Sequence, residues 1–549
     1  MDNRVKATPF DSVFLVEFPE IVRRKRLYPN FARPTMYRPG QNSGTGAAAE
    51  PAVPPPPPAG PHVDQPTFHE RLSTPMTDST VSRRSFLGTM AKGGTAALAA
   101  PLIVPRRVLG GPGYQAPSDT VNVAAVGVGG IGESNLRNLA VPANPEEDRQ
   151  GGTENVVALA DVDHNYASGV FEAYPDAATY YDYRRMFDEM ADEIDGVIVG
   201  TPDHTHAKIT ADAMRRGLHV YTQKPLTWSV GEARFLRRLA AETDVVTQMG
   251  NQGHSSDDAR LVNEYIRSGA IGTVDTVHVW TNRPIWPQGI EMPDSIQRLP
   301  DELEWDLFLG PAPEEPYHED FHPFSWRGWV DWGTGALGDM GAHLVDHPFW
   351  ALELEAPETI QTRSSPFNGE SWPLASMTHF QFPEQGDRPA VTMKWYDGGL
   401  MPERPDAIPE SESLTPGGGV LYVGDDGYLM HETYGTDPRI FPTEKAEQLD
   451  EPPRQFERVE DENHEMNWVR AMKGQAEATS PFEYAAPLTE TMLLGIVSLR
   501  ADNRKLRWDP DAGEVTNASA ANQYLARQNP RDPWALNEVQ DAIGAAVEQ

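Results

Sequence analysis

From about residue 120 onward the apolar positions of this chain follow a strand–helix–strand rhythm. Short runs at Val121–Val126, Asn155–Ala160, Gly196–Val199, His219–Tyr221 and Val245–Met249 are continuous rather than alternating. Strands buried on both faces of a parallel sheet read this way. Between them Glu133–Leu139, Ala207–Arg216 and Gly231–Glu242 carry apolar residues at helical spacing. Each run ends in small or polar residues, at the edge where an open parallel sheet binds its ligands. Past residue 254 the rhythm changes. Asp257–Ser268 reads as an amphipathic helix, and Thr273–Thr281 alternates with a period of two. Ser376–Phe382, Ala390–Trp395 and Gly419–Val423 are further strand candidates, and Asn463–Lys473 and Thr489–Arg504 are late helices. The stretch Asn282–Trp332 has no period and is rich in Trp, Pro and His. Loops of that length in compact domains usually carry function.

The turn after the first run sharpens this reading. Gly127, Gly129 and Gly132 fit G-x-G-x-x-G, with Gly130 and Ile131 inside it, between a strand and a helix. Such glycines allow a tight turn and bring a pyrophosphate close to a helix N-terminus. The N-terminal part, 114–253, is therefore expected to be a Rossmann dinucleotide-binding domain. Asp161 closes the second run, where an acid accepts hydrogen bonds from the adenosine ribose and repels a 2′-phosphate. NAD is expected, with NADP as the other choice; a plain strand-end turn is the competing role for Asp161. The span from Gly132 to Asp161 exceeds the usual ~20 residues, and an insertion, Pro142–Thr153, accounts for the excess. Thr201, Pro202 and His206 follow the next strand, Gln223 and Lys224 the one after it, and Asn251 the last. These complete the expected cofactor edge, with His206 on the nicotinamide side.

Two further motifs add chemistry. Lys224-Pro225 stands at a strand end, and Gly335, Asp339, His343 and Asp346 fit G-x-x-x-D-x-x-x-H-x-x-D. With these the chain resembles the Gfo/Idh/MocA oxidoreductases over roughly residues 119–540. That family usually has Glu-Lys-Pro where this chain has Gln223-Lys224-Pro225; the lysine is kept and the neighbouring charge is not. The resemblance implies an α/β protein with a C-terminal α+β domain, 254–549, built on a mixed or antiparallel sheet. One face of that sheet would wall the substrate and the other would make a homo-oligomer, a dimer or tetramer. It also implies an enzyme that oxidises or reduces a secondary hydroxyl or keto group of a sugar, polyol or glycoside. The residues suit that chemistry. His343 can take the hydroxyl proton, since imidazole titrates near working pH. Asp339 lies four residues earlier on the same helix face, to orient His343 or pair with Lys224. Lys224 would hold the substrate oxygen. The resemblance assigns the same roles. His343, Asp346 and His347 also have a metal-like spacing, but the family works without metal and none is expected. Trp326, Trp329 and Trp332 read equally as core or as indole platforms for a pyranose. Trp326, Trp329 and His347 are taken as substrate-side candidates.

Composition narrows the partners. The formal net charge is −35, which argues against nucleic acid and anionic lipid. It fits a secreted protein or one adapted to high salt. There is no cysteine, hence no disulfide framework and no thiol catalysis, in keeping with an oxidising compartment. Residues 1–75 hold the unbroken proline run Pro54–Pro58 and no periodicity. They read as sequence upstream of a true start at Met76 or as a disordered extension. The former is favoured, because an export signal behind 80 residues would be hard to read. Ser82-Arg83-Arg84-Ser85-Phe86-Leu87 and the apolar stretch Phe86–Val104 make 76–113 a twin-arginine signal region. Lys92, Pro101 and many small residues argue against a stable membrane span there. The expected partner is the twin-arginine translocon and the expected location periplasmic or extracytoplasmic. That route carries folded proteins, so the cofactor would be loaded inside the cell and held tightly. Either a second substrate then reoxidises it, or the reaction is redox-neutral, as in a glycosidase acting through a transient keto-sugar. A non-catalytic sugar-binding protein is the third possibility, opposed by the joint presence of Lys224, Asp339 and His343.

Overall fold

The computed structural model describes residues 119–142 and 152–544. The Pro-rich leader, the twin-arginine segment and most of the insertion lie outside the described residues. Six strands form the first sheet: β1 (Asn122–Val126), β2 (Asn155–Ala160), β3 (Ala178–Tyr180), β4 (Gly196–Val199), β5 (His219–Thr222) and β6 (Thr247–Met249). Their order is β3-β2-β1-β4-β5-β6 and every pair is parallel. Helices α1 (Ile131–Leu139), α2 (Ser168–Ala173), α3 (Tyr183–Met190), α4 (His206–Met214) and α5 (Val230–Glu242) lie between the strands in sequence. This is the doubly wound Rossmann arrangement, and its strand order reverses between β1 and β4, which opens the ligand crevice at their C-terminal ends. The strands are apolar throughout because both faces are covered. Ala124, Val197 and Val199 enter one core cluster, while Val123, Ala125 and Ile198 enter the other. β3 escapes the sequence pattern because it is three half-exposed residues at the sheet edge.

A nine-stranded sheet follows: β7 (Val274–Thr281), β8 (Thr359–Ser364), β9 (Ser376–Phe382), β10 (Val391–Tyr396), β11 (Gly418–Gly424), β12 (Gly427–Glu432), β13 (Arg439–Phe441), β14 (Leu506–Asp509) and β15 (Glu514–Val515). Its order is β13-β12-β11-β7-β10-β9-β8-β14-β15. β7 and β10 are parallel and the other pairs antiparallel, so the sheet is mixed as expected. β9 buries every second residue, ending in Phe380 and Phe382. Its helices are α6 (Asp257–Arg267), α7 (Trp305–Leu309), α8 (Gly335–Leu344), α9 (Asp346–Ala351), α10 (Thr443–Ala446), α11 (His464–Met472) and α12 (Phe482–Arg500). α12 begins seven residues before the start suggested by sequence, because Pro487 inside it breaks the apolar pattern.

The boundary near residue 254 separates the two sheets but not the chain. α11 returns to the Rossmann sheet, where Trp468 and Val469 join the cluster of Val123 and Ala125 and the Trp468 indole lies against Gly196. The tail also returns. Gly231 donates its N–H to Leu525 O at 2.8 Å, and the Arg234 and Arg238 guanidinium groups bond the carbonyls of Ala542, Asp541 and Glu538. Among the described residues no helix is long and apolar enough to cross a membrane; Phe86–Val104 lies outside them.

Candidate active site

The site is assembled at the C-terminal ends of β1, β2, β4, β5 and β6 and capped by α8. After β1, Gly127 adopts φ +78° and a Cβ there would stand 2.7 Å from Thr201. A Cβ on Gly132 would overlap the Gly127 carbonyl oxygen. Only glycine fits both places. Gly130 and Ile131 are exposed at the start of α1, and Gly129 lies under the Tyr166 ring.

Asp161 ends β2 as expected, and its carboxylate also braces the glycine turn. Oδ2 accepts from Val128 N at 2.7 Å and Gly129 N at 3.0 Å, and Oδ1 from Asp163 N at 2.9 Å. A carboxylate has about four acceptor positions, so capacity remains for a ribose hydroxyl. Burial pushes its pKa up against these three backbone donors.

Thr201 and Pro202 are half-buried after β4. His206 departs from expectation. Its ring nitrogens stand 2.8 Å from the carbonyl oxygens of Thr201 and Pro225, and it is 1% exposed. It ties two strand-end turns together rather than facing a cofactor. Gln223 likewise turns inward, its Nε2 donating to Asn135 Oδ1 at 3.0 Å. Asn251, after β6, is fully buried and neither its amide nitrogen nor its oxygen has a partner. An orphaned donor–acceptor pair at this edge is what a carboxamide would satisfy, and with the glycine turn it fits a nicotinamide dinucleotide.

Lys224 joins the two halves. Its Nζ lies 2.6 Å from Asp339 Oδ1 and 3.2 Å from Asp339 O. Asp339 and His343 share the buried face of α8 one turn apart. His343 Nδ1 has no hydrogen-bond partner, and the ring stands edge-on to Tyr434 at 5.0 Å. Burial pushes the imidazole well below its ordinary pKa, and the Lys224 ammonium pushes the same way. Burial also lowers Lys224, opposed by Asp339. Although burial works to raise Asp339, Lys224 and Arg327 hold its carboxyl well below the usual range.

Arg327 was not foreseen. Its Nη1 donates to Asp203 Oδ1 at 2.9 Å and Oδ2 at 3.1 Å, and its Nε lies 3.4 Å from Asp339 Oδ1. The guanidinium lies over Trp326 at 4.3 Å. Asp203, fully buried, also accepts from Thr334 N and Oγ1 at 3.0 and 2.6 Å. Arg283, just past β7, brings its Nε to 4.0 Å from Asp339 Oδ2. An arginine between two tryptophans in an aperiodic loop was the available signal, because guanidinium planes stack on indoles.

Three substrate candidates need correction or sorting. Trp326 is at the site, but its face is taken by Arg327. Trp329 is core: it is 1% exposed, donates its Nε1 to Asp320 O at 3.0 Å and meets Phe321 edge-on. Trp332 packs in the same cluster. His347 is fully buried behind α8, edge-on to His431 at 4.9 Å. Asp346 is taken by His254 Nδ1 at 3.0 Å and the Tyr484 hydroxyl at 2.6 Å. Among the described residues no three His, Asp or Glu side chains converge as a metal would need.

The aperiodic stretch crosses from the second domain onto the cofactor edge. Glu304 donates its N–H to Val162 O at 2.8 Å, His164 donates to Glu302 O at 3.1 Å, and His322 Nε2 lies 2.8 Å from Asp163 Oδ2. At β4, His204 donates its backbone N–H to Trp332 O at 3.2 Å, and its Nε2 donates to Phe308 O at 2.8 Å. The segment carries its own core of Trp305, Phe308, Phe321, Trp329 and Trp332.

Known proteins are similar over parts of this sequence and share its fold. Residues 121–251 match the NAD-binding Rossmann fold of an oxidoreductase family, and residues 266–363 match the C-terminal alpha/beta domain of the same family. Over these two stretches the chain matches the Gfo/Idh/MocA oxidoreductase family. Similar proteins include the rhizopine catabolism protein MocA of Rhizobium meliloti, 31% identical over 32% of this chain and 43% of that protein. The inositol 2-dehydrogenase of Rubrobacter xylanophilus is 29% identical over 30% of this chain and 44% of that protein. The chain thus spans less than half the length of these curated relatives. Among solved structures, the WlbA dehydrogenase of Bordetella pertussis in complex with NADH and UDP-GlcNAcA has a TM-score of 0.50 at 14% identity, covering 71% of this chain and 99% of that one. That likeness is one of fold.

Proposed function

We propose that this protein is an exported NAD-dependent oxidoreductase that acts on a secondary hydroxyl or keto group of a sugar, polyol or glycoside and keeps its cofactor bound. The observation that carries this reading is the meeting of Lys224 from the Rossmann edge with Asp339, one turn from His343 on α8. The nicotinamide would supply the hydride acceptor or donor. The chain's own residues handle the proton and the oxygen. His343, kept neutral by burial, takes the hydroxyl proton. Lys224, fixed by Asp339, donates to the substrate oxygen. Relatives with related chemistry include a levoglucosan dehydrogenase and inositol dehydrogenases.

Export rests on Arg83-Arg84 and its apolar stretch. Cofactor retention is supported by the segment laid from Glu302 to Trp332 across the ends of β2 and β4. The twin-arginine motif also favours a second reading, in which oxidation, elimination and re-reduction release an aglycone with no net redox change. A homo-oligomer would use the outer face of the nine-stranded sheet, where Gln361, Met377, His379, Gln381 and Lys394 are half-buried. Mass spectrometry of natively purified protein, followed by a panel of pyranosides and polyols read at the reduced-nicotinamide absorbance, tests the main reading. Bound dinucleotide that is reduced by a sugar supports it. Release of an aglycone without net reduction selects the second reading. Absence of any hydride transfer from every compound sinks both.

A further inference from the structure

The groups around Asp339 hold more positive charge than the site needs for itself. Two carboxylates, Asp203 and Asp339, face three cations, Lys224, Arg327 and Arg283. Asp203 is answered by Arg327 and by two donors from Thr334. Asp339 is answered at 2.6 Å by Lys224 and at 3.4 Å by Arg327. The next acid along the chain, Asp346, is fully buried and taken by His254 and Tyr484. Arg283 at 4.0 Å is therefore surplus to the pairing of Asp339.

Its placement is that of a binding group. Arg283 lies just past β7, after Asn282, and its backbone is pinned by Gly398 N, which donates to Arg283 O at 2.7 Å. Its side chain is 27% exposed, unlike the 14% of Lys224 and 15% of Arg327. Nη1 bonds the adjacent Asn282 Oδ1 at 2.6 Å, while Nη2 hydrogen-bonds no described residue. Tyr434, which feels the charges of Arg283 and Asp339, stands against His343, so Arg283, Tyr434, Asp339 and His343 share one wall. A guanidinium with a free edge beside the reacting groups matches a carboxylate in geometry and charge. An oxidised nicotinamide would add a further positive charge. A neutral sugar would leave this surplus unanswered in a part-buried site.

We propose that Arg283 is a specificity-determining residue that binds a carboxylate on the substrate, so that the preferred substrate is a sugar acid or its glycoside rather than a neutral sugar. This rests on the oxidoreductase reading above. The test uses full-length protein with its retained or added dinucleotide and three matched compounds: a methyl hexopyranoside, the corresponding methyl hexopyranosiduronate, and the methyl ester of the latter. The ester keeps the shape and removes the charge. A charge-assisted hydrogen bond corresponds to about 10- to 100-fold. The expected result is a kcat/KM for the uronate higher by about that factor than for the ester and the neutral glycoside. That ratio should fall toward one in Arg283→Gln, mainly through KM, and be restored in part by Arg283→Lys. A wild-type preference for the neutral compounds, or a ratio unmoved in Arg283→Gln, overturns the proposal while leaving the oxidoreductase reading in place. Failure of all three compounds while neutral polyols are oxidised also overturns it. Failure of every sugar, acid and polyol removes the underlying reading instead.

Discussion

In the proposed reaction Lys224 and His343 would act on one proton and one oxygen, which would make their effects strongly coupled. His343→Ala should lower single-turnover hydride transfer by about 10²–10⁴-fold while dinucleotide binding persists, because His343 belongs to α8. Lys224→Ala should fall in a similar range, and the double variant should be far from the product of the two. A near-additive double variant would show that the two residues serve different steps. The pH dependence carries its own sign. His343 has a pKa pushed well below that of free imidazole, so its neutral, proton-accepting form persists to lower pH. kcat/KM for alcohol oxidation should therefore show no acid limb near the ordinary histidine pKa. A half-loss of rate on acidification through about pH 6.5, the value of free imidazole, would mean that another group is the base. Asp161→Ser should narrow the preference for NAD over NADP by removing the repulsion of a 2′-phosphate. It also releases the amides of Val128 and Gly129, so affinity for both dinucleotides should drop. Competitive titrations with the two cofactors measure both effects.

Secondary-structure elements set what could be read in advance. The placement of Lys224, Asp339 and His343 was legible, as distinct from their roles, because each sits in a short motif at a strand end or on one helix face. Arg327 and Asp203 were not, because their pairing joins residues 124 positions apart. The cofactor-side role of His206 and the platform role of Trp329 failed for a shared reason: neither sequence spacing nor residue type reveals which side chain a turn buries. The first sheet was legible except for β3, whose three residues carry no apolar run. The second was legible at its central strands β7, β9, β10 and β11 and not at β8 or at β12 to β15. Arg327 is the link between elements, reaching the turn after β4 and helix α8 together. Arg327→Met should lower stability by about 3–5 kcal/mol, since Asp203 is fully buried and would keep only the Thr334 donors. Urea unfolding measures this, and a change below about 1 kcal/mol, the range of surface pairs, would show that the pair is solvent-relaxed.

On the scale of the whole molecule, a net charge of −35 is a standing repulsion in the folded chain. Screening shortens its range from roughly 30 Å at 0.01 M to roughly 3 Å at 1 M ionic strength. Thermal unfolding should therefore move to higher temperature as potassium chloride is added, and a falling Tm over that range would count against adaptation to salt. The return of the tail to the first domain has a consequence for how the protein is made. Leu525, Glu538, Asp541 and Ala542 supply acceptors to the Rossmann helix α5, yet they are synthesised only after the nine-stranded sheet. At about 5–20 residues per second, the dinucleotide domain waits on the order of tens of seconds for the segment that covers α5. A nascent chain stalled just short of that segment should expose α5 to protease, and one released with its tail should not. The domain synthesised first is thus completed only after the second has been made.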